Sequence, residues 1–68
     1  MQPHEERVEV EKQQLDEKLV KLDAFFSNPI FSKLPHDERR LLQIQYKLMN
    51  QYSRILAERL IRFKEESQ

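Results

Sequence analysis

The sequence predicts an all-α fold: an antiparallel two-helix hairpin with a short connecting helix, assembling into a homo-oligomeric helical bundle. Three observations predict it. Apolar residues recur at helical spacing over two long segments, and prolines at positions 3, 29 and 35 punctuate them. The 68 residues include no glycine and no cysteine, which removes the cheap positive-φ turns of β-hairpins and any disulfide framework. The second long segment also carries more apolar surface than one partner helix can cover.

The first helix is expected over about 4–26. Pro3 suits the start, where its missing N–H costs nothing, and Glu5 and Glu6 sit where the helix dipole favours acids. Val8, Leu15, Leu19, Leu22 and Phe26 form a narrow stripe at near-heptad spacing. Ser27-Asn28-Pro29 then stops the helix, because a residue before proline avoids the α region. Ser27 or Asn28 can cap a short helix over 29–33, with Ile30, Phe31 and Leu34 plugging the open end of the hairpin. Leu34-Pro35 breaks the chain again. The second long helix follows over about 36–64, with Asp37 and Glu38 in its first turn and residues 65–68 fraying. So short a connection makes the two long helices antiparallel neighbours in a single domain spanning 1–68.

The stretch from Leu41 to Phe63 organises the rest. On a helical wheel its apolar side chains spread over roughly 160°, against the ~100° needed to dock on one partner. A lone hairpin would leave in water either much of Leu41, Leu48, Tyr52 and Ile55, or much of Met49, Leu56 and Leu60. All of these but Leu60, together with Gln45, are the expected oligomer interface. At ~25 cal/mol per Å² the uncovered side chains would cost several kcal/mol, and self-association with closed symmetry is the direct remedy. Gln45, inside the arc, is placed to set register. Arg59 also falls near the middle of the arc. A guanidinium among leucines cannot lose its proton, so it demands an anion. That anion is either a glutamate such as Glu38 across an oligomer seam or a ligand.

Composition excludes several functions. Twelve basic and twelve acidic residues cancel, so the chain lacks the field that binds polymeric DNA or RNA. No run approaches a membrane span, and MQPHEERVEV has no apolar signal core. Neither His4 nor His36 belongs to a nucleophile–base–carboxylate set, and no ligand spacing suggests a metal. A non-enzyme without cofactor is expected. Absence of cysteine suits a reducing cytosol.

The order KL…F…F..L…E..LL..Q…M..Y…L..R resembles a family of small phage proteins, the anti-CBASS cyclic-oligonucleotide sponges. The matching residues include Arg7-Val8, Glu11, Leu15, Lys18, Lys21-Leu22, Phe25, Phe31, Leu34, Glu38, Leu41-Leu42, Gln45, Met49, Tyr52, Leu56 and Glu58-Arg59-Leu60. The resemblance implies a compact homohexamer in the cytoplasm of an infected bacterium. It would sequester cyclic oligonucleotide second messengers without chemistry and so block CBASS signalling. It further implies that Lys18 meets a cyclic dinucleotide phosphate, with Pro3 and His4 where the family has an aromatic and Arg7 on the same flank as Lys18. Arg59 would meet a cyclic trinucleotide, beside Val20, which stands where the family has a hydroxyl. The competing expectation is a structural or regulatory adaptor that offers its broad apolar face to a host protein helix.

Overall fold

A computed structural model describes residues 2–66 of the chain. Three helices follow in order: α1 over Pro3–Phe26, α2 over Pro29–Lys33 and α3 over His36–Glu66. No strand occurs among the described residues. Each helix begins at or next to a position that sequence chemistry prepares. The Gln2 backbone N–H donates to Glu5 Oε2 at 3.2 Å, closing the first turn of α1. Asn28 is extended (φ −79°, ψ 138°), and its side-chain oxygen accepts from the Ile30 N–H at 2.8 Å. Leu34, also before a proline, is extended too (φ −69°, ψ 151°), and the Arg39 N–H then reaches the Pro35 carbonyl at 3.1 Å. No described residue has a positive φ, so both breaks are made by proline alone.

The boundaries differ from expectation in two places. α1 begins at Pro3, one residue early, because proline tolerates the first helical position. α3 runs through Glu66, so residues 65 and 66 continue the helix rather than fray. The expected fraying of Ser67 and Gln68 lies outside the described residues.

α1 packs against α3 along its length, and the contacts fix the sense of the pair. The ring of His4, at the start of α1, meets Phe63, near the end of α3, edge-on at 5.6 Å. Phe26, at the end of α1, meets Tyr46 at 5.5 Å. Along this seam α1 turns in residues 5, 8, 12, 15, 19, 22 and 26, and α3 turns in residues 39, 42, 46, 49, 53, 56, 60 and 63. Both series alternate steps of three and four, the spacing of helices that cross at a shallow angle. Leu56 is the deepest, fully buried, with Val8 and Leu19 close behind. Full burial of such a side chain contributes about 1.5–3 kcal/mol. At the closed end Phe31 of α2 sits between Phe26 (5.1 Å) and Phe25 (5.9 Å). Ile30 does not join the plug; it is largely exposed, since it follows the cap on the outer side of a helix only five residues long.

The result is a rod of 51 × 15 × 15 Å. The wheel of α3 thereby splits into two stripes about 100° apart. One faces α1. The other remains open: Leu41 is 64% exposed, Leu48 58%, Ile55 55%, Ile44 44% and Tyr52 41%. Leu56 was expected at an interface between copies, but it belongs to the protomer's own core. Its position one step around from Ile55 decides this. Met49 is half-buried on the α1 side. No helix is long and apolar enough among the described residues to cross a membrane.

Candidate functional site

Lys18, Lys21, Leu22 and Phe25 stand at steps of three, one and three on α1, so they share one face of it. Gln45 and Met49, one turn apart on α3, form the opposite wall. Together these six residues line a groove of about 330 Å³. Two ammonium groups lie on its α1 lip, and Phe25, anchored by Phe31 at 5.9 Å, gives it an aromatic wall. Among the described residues neither lysine forms an ion pair; the pair found is Lys12–Asp16. Gln45 Nε2 spends one N–H on the soft Met49 sulfur at 3.8 Å, which leaves an amide donor and acceptor for another partner. Two unpaired cations, an aromatic wall and a free amide suit a planar, phosphate-bearing ligand.

The other expected dinucleotide residues lie elsewhere on the same chain. Pro3 and Arg7 come together in a second cavity, of about 430 Å³, with Glu6, Val10, Glu11 and Gln14. Two carboxylates there offset the one guanidinium, so this cavity alone does not attract anions. His4 lies against Phe63 rather than in that cavity. Arg7 and Lys18 are separated by about 16 Å along the helix, at 1.5 Å per residue. One chain therefore does not bring them to one small ligand.

Arg59 and Val20 are also apart. Val20 is 70% exposed and lines a third cavity, of about 470 Å³, with Leu60 and with Glu9, Lys12, Gln13, Asp16 and Glu17 of α1. Arg59 is exposed on the open stripe of α3 and acts on Tyr52. The Tyr52 hydroxyl donates to Glu11 Oε1 across the helices. That hydrogen bond to a carboxylate holds the phenol above its ordinary pKa, aided by burial and by the Glu11 charge, while the Arg59 charge pulls the other way. Within the chain Arg59 thus acts on the Tyr52 phenol that donates to Glu11.

A polar cluster sits inside the α1–α3 seam. Lys12 Nζ donates to Asp16 Oδ2 at 2.6 Å and to Ser53 Oγ at 3.3 Å. Ser53, itself buried, donates to Asp16 Oδ1 at 2.5 Å. The Lys12 hydrogen bond, then that from Ser53, holds the Asp16 carboxyl below its ordinary range. A further cavity of about 190 Å³ beside α2 is walled by Phe31, His36, Arg39, Arg40 and Gln43, with Arg39 Nε buried and unbonded.

Sequence reading missed Lys21 and Phe25 as groove residues; their three-residue step from Lys18 and Leu22 was the available signal. It also missed the Lys12–Asp16–Ser53 cluster, because polar residues at seam positions read as solvated. Among the described residues no group of three or more His, Cys, Asp or Glu could hold a metal ion.

No curated protein and no solved structure matches the chain. The model of one protein family, Sequestin, does match, and it covers residues 2–66, hence both long helices, the groove and the open stripe. The chain belongs to the Sequestin family.

Proposed function

We propose that this chain sequesters cyclic dinucleotide second messengers, without catalysis, as a helical hairpin assembled into a closed homo-oligomer, a hexamer. The groove of Lys18, Lys21, Phe25 and Gln45 is the observation that carries the reading. A cyclic dinucleotide has two phosphates in a two-fold ring. Two copies meeting about a two-fold axis would offer a lysine pair to each phosphate by charge-assisted hydrogen bonds, with Phe25 beside a base. The family's name, which speaks of sequestration, supports the same direction. The resemblance to anti-CBASS sponges supplies the setting: the cytoplasm of an infected bacterium, where holding the signal keeps the immune effector idle. A trinucleotide site at Arg59 has less behind it, since Val20 offers no donor and lies apart from Arg59.

Calorimetric titration with a panel of cyclic di- and trinucleotides tests the proposal. Dinucleotides should bind and be recovered intact after denaturation. Absence of binding across the panel, or release of a cleaved product, overturns it.

The exposed stripe of α3 favours a second reading, an adaptor that docks on a host protein helix. Thermal melting separates the two. A sponge gains stability with cyclic nucleotide by mass action, whereas an adaptor does not.

A further inference from the structure

The open stripe of α3 has an order that its apolar character alone does not require. Its members are Asp37, Leu41, Ile44, Leu48, Tyr52, Ile55 and Arg59. The steps between them are four, three, four, four, three and four, the same in both directions about Leu48. Character is mirrored as well: Leu41 matches Ile55, Ile44 matches Tyr52, and the terminal pair is an acid and a base. We propose that this stripe is an isologous interface, in which α3 of a second copy lies antiparallel with the two-fold axis at Leu48. The palindrome places Leu48 against Leu48, Leu41 over Ile55 of the second copy, and Arg59 beside Asp37 of the second copy, twice.

Two physical arguments support a second copy over a foreign helix. Because the stripe reads the same in both directions, an antiparallel copy meets it with apolar residues opposite apolar ones and unlike charges at both ends. A parallel pairing would set Asp37 on Asp37 and Arg59 on Arg59, so the charges select the orientation. The area is also adequate. The five apolar side chains leave on the order of 500 Å² exposed, at the upper end for a monomer, and two copies bury on the order of 1,000 Å², where specific interfaces begin. Asp37 also lies in the first turn of α3, where the helix dipole favours an acid, so the pair is held at a prepared site. This interface supplies a two-fold contact for the oligomer proposed above, and it stands or falls independently of what the groove binds.

The chain has no cysteine, so single introduced thiols report without background. Under mild oxidation Leu48→Cys should form a disulfide-linked dimer by itself. Leu41→Cys should not, but should cross-link in a mixture with Ile55→Cys. Arg59→Asp should weaken dimerisation by about tenfold or more, and adding Asp37→Arg should restore it. Self-linking of Leu41→Cys, or no linking of Leu48→Cys in a protein that still associates by light scattering, overturns the proposal. Calorimetry on the same variants reads the groove separately: nucleotide binding without Leu48 cross-linking sinks the interface alone, and cross-linking without nucleotide binding sinks the sponge alone.

Discussion

Ser53 on α3 donates its hydroxyl to Asp16 on α1 at 2.5 Å, and Lys12 reaches both. This is a buried polar contact in the middle of a largely apolar seam, and it favours one register of the two helices. A sliding of one heptad would set Ser53 against Leu19 and Asp23 or against Glu5 and Glu9, and either way it loses the Lys12–Asp16 pair.

The cluster makes stability depend on acidity. The Asp16 carboxyl is held below its ordinary 3.8, so its contribution is complete above that pH and is lost as pH falls through the lower folded value. The melting temperature of the native chain should therefore drop below pH 3.8 more steeply than that of Asp16→Asn. Parallel melting curves for the two proteins at acid pH would disprove it. Half-exposure of Asp16 keeps the effect modest.

Leu56 and Leu48 test the division of α3 into two faces. Leu56→Ala removes a fully buried side chain and should destabilise the chain by about 2–5 kcal/mol in denaturant unfolding. Leu48→Ala, on the open stripe, should leave folding within each rod nearly unchanged and lower the association state instead. Equal unfolding costs for both would show that the stripes are not distinct.

Lys21 is the sharpest test of the groove. Lys18→Ala and Lys21→Ala should each weaken cyclic dinucleotide binding by about 1.5–3 kcal/mol, the worth of a hydrogen bond to a charged group. Calorimetry decides the outcome. If only Lys18 matters, Lys21 is a solvated neighbour and not part of the site.

Tyr52 should report its carboxylate partner by alkaline titration. In a Tyr46→Phe background the remaining phenol should ionise above the ordinary 10.0, because Glu11 accepts its proton in a hydrogen bond. Glu11→Gln should bring it down. Because the folded value is raised, the associated stability is present below pH 10.0 and disappears as pH rises through the folded value. An unchanged ultraviolet titration in Glu11→Gln would remove the pair.

Much of the fold could be read from residues. The stripe of Val8, Leu15, Leu19, Leu22 and Phe26 is the face that α1 turns to α3, and Pro29 and Pro35 mark the two breaks. These signals are local, set by spacing and by the chemistry of one residue type. Leu56 was placed on the wrong side because a wheel gives the width of an arc but not which edge meets the neighbour. The Lys12–Asp16–Ser53 cluster escaped for a related reason: its three members look soluble one at a time, and only the pairing of 12 with 53 brings them under cover. Lys21 does not stand out as a groove residue in the sequence because the wall opposite it, Gln45 and Met49, belongs to another helix. Pro3 and Arg7 share a cavity, but the rise of the helix keeps both apart from Lys18 within one chain.

A body 51 Å long and 15 Å across is only two helices thick, so no point in it lies far from its surface. Such a rod can flank a small molecule but not surround it. Shelter from every side has to come from the crevice where rods touch, so stoichiometry counts contacts and not chains. Under the proposed two-fold assembly, one small ligand would be held for every two copies.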